Sequence, residues 1–288
     1  MYDVIIIGKG PAGISAALYA LRAGMKTAVI GRGGGTLVKT HLIENYYGLE
    51  KPLSGPELQL RGERQYLALG GELVDAEVTG VGFGEAFEVE TPEAAYPCKA
   101  VVIAVGRARK TLKIKGLADF EGKGVSYCAV CDGFFFKGKA VGVIGAGDYA
   151  VNEAKHLAGF ADSVTLFTDG EPPQYTGEPG FPVVGEKIDE VTGTDKVEGI
   201  LTIGGAFHAL AGVFVAAGSA GAADFALKLG LPLENGNIVV DANGMTALPG
   251  IFAAGDCIGG FNQIATAVGE GALAGQRAAD FVKKGGSL

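Results

Sequence analysis

Residues Gly124–Ala150 read GVSYCAVCDGFFFKGKAVGVIGAGDYA. Cys128 and Cys131 form a CxxC followed by Asp132, and fourteen residues after Cys131 comes Gly145, which opens a GxGxxA turn. KAVGVIG has the apolar run of a buried strand, DYAVNEAKHLAGF the period of a helix, and DSVTLFTDG reads as the next strand. Glycines at a strand-to-helix turn in that order make a nucleotide-type βαβ unit, so a dithiol stands directly ahead of a Rossmann-like fold.

The same order opens the chain. Asp3–Gly8 is a short apolar run ending in GKGPAG, ISAALYALRAG turns helical, and KTAVIG supplies a second strand. Gly8, Gly10 and Gly13 stand where a tight turn, close approach to a pyrophosphate and helix–sheet contact each need a glycine. The free N–H groups of the helix N-terminus would meet the phosphates. The acid that usually ends the second strand is missing, because Ile30 is followed by Gly31 and Arg32. Ribose recognition must come from elsewhere.

Leu73–Thr91 and Cys98–Gly106 read as sheet, with further β segments near Gly199–Ile203 and Gly212–Ala217. GIFAAGD reads as a strand carrying Asp256 at its end, and Asn262–Val282 as a closing helix. The predicted class is therefore α/β, with two Rossmann-like three-layer ββα nucleotide-binding domains, the second inserted into the first. Residues 1–109 plus 233–288 form the discontinuous domain and 110–232 the central one, with Gly116 and Pro232 near the crossings.

A chain of 288 residues, 48% apolar, can build two cores. A net charge of −8 argues against nucleic acid as a partner. No apolar run approaches a membrane span, and the N-terminus enters a strand without a signal peptide, so a cytoplasmic protein is expected. Four cysteines in that setting suggest redox use before a disulfide framework.

Two residues between Cys128 and Cys131 allow an exchange-competent disulfide, and neighbouring Asp132 could move a proton. Three plainer readings compete: a zinc site, a thioredoxin-like turn, and two buried structural cysteines. Zinc needs two more ligands, yet Cys98 and Cys257 form no second CxxC and His41, His156 and His208 lie scattered, so no metal is expected. Cys98 and Cys257 sit in apolar strand contexts and read as core.

GKGPAG, GGGTLVKTHLIENYYG, CAVCDG, GAGDYA and GIFAAGDC, in this order, resemble the low-molecular-weight thioredoxin reductases over nearly the whole chain. The resemblance implies an FAD-containing homodimer that reduces thioredoxin. Gly8, Gly10, Pro11, Ala12 and Gly13 would cradle the FAD pyrophosphate, with Gly31 and Val78 beside the cofactor. Thr36, Leu37 and Asn45 match the loop that approaches FAD. Ala104 and Gly106 match an Ala-Thr-Gly turn whose Thr is Val105 here. Asp256 would bond the ribityl chain, and Gln263 and Ile264 would meet the pyrimidine edge of the flavin, although Asn262 replaces a basic residue. The resemblance assigns Cys131 to the flavin side, Cys128 to attack on the substrate, and Asp132 to general acid.

The electron donor is where the chain departs from that pattern. The His-Arg-Arg run of the NADPH-dependent members is Thr168, Asp169 and Gly170 here, and Leu157–Glu186 carries five acids and no lysine or arginine. A 2′-phosphate would be repelled, so NADPH is not expected. Asp169 could hold the ribose of NADH, but Asp148, directly after Gly147, is expected to cap its own helix and repel phosphates. Arg107, Arg109, Lys110, Lys113, Lys115, Lys123, Lys137 and Lys139 flank the dithiol against only Asp119, Glu121 and Asp132. That excess suits an acidic redox protein, which points to ferredoxin near segment 107–139 and to similarity with the ferredoxin-dependent flavin thioredoxin reductases. The alternatives are reduced deazaflavin or NAD(P)H as donor, a dithiol oxidase using oxygen, and a non-enzymatic flavin redox sensor.

Overall fold

The computed structural model describes residues 1–106, 112–218 and 220–286. The chain divides into two compact units, Met1–Ala108 with Gly221–Leu288 and, inserted between them, Arg109–Ala220.

In the first unit the apolar strand β1 (Tyr2–Ile7) feeds α1 (Pro11–Arg22), which returns through β2 (Thr27–Ile30). Pro11 starts α1 without loss, since the first helical N–H has no intrahelical partner. Then come α2 (Gly55–Ala68), capped by the Ser54 hydroxyl accepting from the Glu57 N–H, and the strands β3 (Glu72–Val74), β4 (Gly80–Phe83), β5 (Phe87–Glu90) and β6 (Ala95–Ile103). The order is β3-β2-β1-β6-β5-β4. β1 to β3 and β6 run parallel, while β4 and β5 pair antiparallel along the outer half of β6.

The second unit contains β7 (Val125–Ser126), α3 (Ala129–Asp132), β8 (Ala140–Ile144), α4 (Asp148–Ala158), β9 (Ser163–Phe167) and β10 (Val183–Val184). An antiparallel sheet of β11 (Ile188–Gly193), β12 (Val197–Thr202) and β13 (Phe207–Ala209) follows, and then β14 (Gly212–Val215). β14 inserts between β8 and β7 in a parallel sheet of order β10-β9-β8-β14-β7. Parallel strands plus a three-stranded layer give this unit the Rossmann-like plan expected of it. Phe167, Val191, Ile200 and Val213 form its core.

The chain rejoins the first unit at Gly221, ahead of the expected return near Leu233. The physical reason is α5 (Ala222–Leu229): Phe225 and Ala226 are buried, and the Lys228 ammonium donates to the Thr79 carbonyl at 3.0 Å. After α5 come the short strands β15 (Leu233–Glu234) and β16 (Asn237–Ile238), then β17 (Ile251–Ala253), parallel to the inner half of β6, and the long helix α6 (Ile264–Lys283).

α6 lies unusually close to α1. A Cβ on Gly271 would stand 2.1 Å from the Ala12 carbonyl oxygen, and one on Gly275 2.1 Å from that of Ala16. The Ser15 hydroxyl donates across the seam to the Val268 carbonyl at 2.7 Å. Because each clash is with backbone, no rotamer change relieves it. Gly275→Val should cost about 1–3 kcal/mol, read as a lower urea midpoint with an unchanged denaturant slope.

Candidate active site

β7 delivers the chain to Cys128 in an extended conformation, and a single turn, α3, carries Cys131 back beside it. The two cysteines form a disulfide with Cα atoms 5.3 Å apart. Four polar contacts hold the turn. The Ser126 hydroxyl accepts from the Cys128 N–H at 3.1 Å and donates to the Asp132 carboxylate at 2.6 Å. The Cys131 N–H donates to the Cys128 sulfur at 3.2 Å, and the Ala129 N–H to the Glu153 carboxylate of α4 at 2.9 Å. Cys128 is buried while Cys131 is exposed. Beyond the pair, Val130, Phe134 and Phe135 are exposed, whereas Phe136 packs edge-on against Phe214.

Asp132 is thus within reach of the dithiol turn, as its adjacency in sequence requires, with Ser126 orienting it. Ser126 and Glu153 were not picked out from the sequence. A serine two residues before a cysteine carries no signal of its own, and Glu153 lies on another helix. Cys98 and Cys257 are buried and unpaired with each other. Burial pushes both thiols up to about 12. Among the described residues no group of three or more His, Cys, Asp or Glu could hold a metal ion.

The expected cofactor residues gather at the strand ends of the first unit. The turn after β1 is tight: a Cβ on Gly8 would lie 2.4 Å from the Ala104 oxygen, and one on Gly13 1.8 Å from the Gly8 oxygen. At Gly10, by contrast, a Cβ would meet nothing within 4 Å, and no side chain caps α1. Pro11, Ala12 and Gly13 form the first turn behind it. An open backbone face over uncapped N–H groups fits a dinucleotide pyrophosphate. Gly31 backs onto Gly8, with a Cβ there 3.2 Å from the Gly8 Cα.

Gly255, with φ of +82°, brings Asp256 to the end of β17 above Ala12. The Gly255 N–H donates to the Glu270 carboxylate of α6 at 2.9 Å. Burial and then the Asp256 charge push Glu270 above the ordinary carboxylate range, opposed by that N–H. The Asn45 amide donates to the Gln263 side chain at 3.1 Å, so the loop residue and the start of α6 meet. Ile264 opens α6. Leu37 is buried against the start of α2, with Thr36 exposed beside it. Val78, buried, follows β3, and Gly106 follows β6 with φ of +69°.

The second glycine-rich turn is built alike but meets different surroundings. A Cβ on Gly145 would lie 2.2 Å from the Ala216 oxygen, so the turn is equally tight. Over it runs a stretch of the protein's own chain. The Gln174 N–H donates to the Ala146 carbonyl at 2.7 Å, and Gln174 bridges Gly147 in parallel. Asp148, only 3% exposed, accepts from the Thr176 N–H at 2.6 Å and from its hydroxyl at 3.3 Å. Obstruction expected from helix capping thus takes another form: the carboxylate fastens a loop across the turn. Asp169 has φ of +53° and accepts the Ile188 N–H at 2.9 Å. Of the basic residues expected near the dithiol, Arg107, Arg109 and Lys110 lie outside the described residues. Lys113, Lys123, Lys137 and Lys139 are exposed, and Lys115 pairs with Glu190 at 2.7 Å.

The buried thiols give a direct check. At pH 8 a thiol pushed up to about 12 is almost wholly protonated and unreactive. Native oxidised protein should release no colour from DTNB, and the same protein in denaturant should report its two free cysteines. Fast labelling of the native form would contradict the burial.

Comparison with known proteins agrees with this geometry. The profile of the pyridine nucleotide-disulphide oxidoreductases matches residues 2–176 and 182–271. A thioredoxin reductase of Listeria innocua is 38% identical, covering 99% of this chain and 95% of that protein, and one of Bacillus subtilis is 36% identical over 99% and 96%. Among solved structures, the atypical thioredoxin reductase TRi of Desulfovibrio vulgaris Hildenborough superposes with a TM-score of 0.93 at 38% identity, covering 99% of each chain. A ferredoxin-flavin thioredoxin reductase of Clostridium acetobutylicum gives 0.73 at 32% identity over 98% of each. Among the described residues no helix is long and apolar enough to cross a membrane. With a family profile over most of its length and thioredoxin reductases 38% and 36% identical over 99% of it, the chain belongs to the pyridine nucleotide-disulphide oxidoreductases, as a flavin-dependent disulfide oxidoreductase among the thioredoxin reductases.

Proposed function

We propose that this protein reduces the disulfide of thioredoxin through Cys128 and Cys131, using FAD, with electrons from reduced ferredoxin rather than NADPH. The observation that carries the donor assignment is the stretch Gln174–Thr176 lying over Ala146–Asp148. A pyridine nucleotide needs the backbone N–H groups of that turn for its pyrophosphate, and its approach would have to displace three hydrogen bonds of the protein's own chain. The carboxylate of Asp148 adds repulsion toward phosphate. Asp169, the residue that could take a ribose hydroxyl of NADH, already accepts the Ile188 N–H on one carboxylate oxygen. Ferredoxin is supported by the exposed Lys113, Lys123, Lys137 and Lys139 around the redox turn, which complement an acidic protein.

In this reading Gly8, Gly10, Pro11, Ala12 and Gly13 hold the FAD pyrophosphate, with Gly31, Thr36, Leu37, Asn45, Val78, Ala104 and Gly106 around it. Asp256, steadied through Gly255 and Glu270, takes the ribityl chain, and Gln263 and Ile264 at the N-terminus of α6 face the flavin. The bound flavin supplies the conversion between one-electron and two-electron chemistry. On the protein side, Cys131 is the sulfur presented to the flavin and Cys128 the one that attacks the thioredoxin disulfide. Asp132, oriented by Ser126, supplies and takes back the proton. Exposed Val130, Phe134 and Phe135 border the exchange site with apolar surface suited to a protein substrate. The protein acts in solution as a homodimer in the cytoplasm.

Anaerobic stopped-flow absorbance tests the donor. Photoreduced ferredoxin should bleach the flavin band within the mixing experiment, while NADPH or NADH at millimolar concentration leaves it oxidised. Rapid bleaching by NADPH would overturn the assignment. Cys131→Ser should keep its flavin and lose thioredoxin turnover by at least about a thousand-fold, since removing one member of a catalytic unit abolishes most of its effect.

A further inference from the structure

Beside the open turn of the first unit stands a carboxylate whose charge serves no step of the thiol chemistry. Glu270 lies in the second turn of α6, half-buried, and accepts the Gly255 N–H at 2.9 Å. Gly255 in turn presses on α1, since a Cβ there would stand 2.8 Å from that of Ala12. Gly271, the neighbour of Glu270, meets the same residue, where a Cβ would lie 2.1 Å from the Ala12 carbonyl oxygen. Ala12 belongs to the first turn of α1, which no side chain caps. These contacts and ordinary bond lengths place the Glu270 charge within about 9 Å of the Ala12 side chain. Two carboxylates, Glu270 and Asp256, thus flank a turn shaped for an anion. Burial pushes Glu270 above the ordinary carboxylate range; the Gly255 N–H opposes this and the Asp256 charge adds to it. An amide would accept the Gly255 N–H equally well. What the acid adds is a charge that a proton can remove.

We propose that Glu270 is a positioning residue that fixes the Gly255–Asp256 corner and takes up a proton when FAD enters, so that the cofactor is held more tightly as pH falls. This rests on the reading of the first unit as the FAD site. A pyrophosphate brings two negative charges. At about the range set by Ala12 and an effective dielectric of about 20, each weakens the ionisation of a carboxyl by roughly ten-fold or more. With the carboxyl protonated this repulsion is gone and binding is strongest. As pH rises through the range in which the FAD-free carboxyl ionises, binding weakens. It levels off once the group is charged in both states. A protonated carboxyl still accepts the Gly255 N–H through its carbonyl oxygen, so the corner survives.

The elements packed against Glu270 carry few other ionisable groups. Asp256 and Cys257 face it from the turn after β17, and the Cys257 thiol, pushed up to about 12 by burial, stays neutral. β17 itself has none. On α1 they are Tyr19 and Arg22, about two turns or more beyond Ala12. Those of β1 and β6 lie toward the strand starts, away from the end where Gly8 follows. Lys9, in the turn before α1, pairs with Asp75 at 2.8 Å, and Arg277 pairs with Asp280 at 3.2 Å further along α6. Arg107, past β6, lies outside the described residues. Comparing the wild type with Glu270→Gln isolates the one carboxylate from all of them.

The test is cofactor retention by the purified flavoprotein. Holoprotein is diluted at pH 5.5 to 8.5 and constant ionic strength, and released FAD is separated by ultrafiltration and counted by fluorescence, giving Kd at each pH. The wild-type Kd should rise by about ten-fold from the acid to the alkaline end. Glu270→Gln should give a flat Kd close to the wild-type value at the acid end. A Kd that climbs with pH in this variant as in the wild type overturns the proposal, because a purely structural link leaves the pH dependence in place. Loss of FAD by the variant at every pH overturns it too. Glu270→Ala, which lacks the acceptor, should bind FAD more weakly than Glu270→Gln throughout, and equal affinity would refute the positioning role. Where the variants do not fold, the wild type decides, and an unchanged Kd across the range sinks the idea. Failure of the FAD reading looks different: a colourless protein that takes up no FAD at any pH.

Discussion

How closely a helix may stand to the strand before it decides most of this structure. In the first unit Gly13 lets the start of α1 touch the Gly8 oxygen, and in the second Gly145 lets the turn after β8 touch the Ala216 oxygen beyond β14 and the Ala150 Cβ of α4. Any side chain at either place would force the helix away from the sheet end and dissolve the pocket of N–H groups there. The same rule repeats along α1 and α6, where Gly271 and Gly275 let two helices share a seam of bare backbone. Tight geometry of this kind leaves few ways to pack, and the large buried residues Ile5, Ile6 and Phe252 fill the space that remains.

From this shared plan the two units diverge in what they leave open. The first keeps clear space at Gly10 over an uncapped helix start, the condition for receiving a large anion. The second closes the equivalent place with its own chain, using a carboxylate at Asp148 and the N–H and hydroxyl of Thr176. A single helix, α4, then touches both features of that unit. Its first residue fastens the covering loop, and Glu153, one turn and a half later, fastens the redox turn.

What was legible in the sequence follows from how local each signal is. The glycine turns, the strands that feed them and the CxxC are set by neighbours a few residues apart, so Gly8–Gly13, Gly145 and Cys128–Cys131 could be placed before any coordinates. The inserted arrangement also followed, because strand–helix–strand order survives an interruption. The return point did not: α5 looks like any short amphipathic helix, and only the long-range bond from Lys228 to Thr79 assigns it. Asp148 could be singled out in the sequence, yet its partner could not, since Thr176 lies in a proline- and glycine-rich stretch with no period to read. Ser126 and Glu153 escaped for the same reason, their importance lying wholly in what folding sets beside them.

The three phenylalanines after the redox pair divide their duties by geometry. A three-residue-per-turn helix aims successive side chains about 120° apart, so Phe134 and Phe135 face water while Phe136 wedges against Gly212 and Phe214. Only the third is tied to the interior. Descendants of this sequence are therefore freer to redraw the first two as their macromolecular clients change, at the cost for Phe134 of its edge-on contact with Phe160, and lineage divergence should be concentrated there while position 136 stays aromatic.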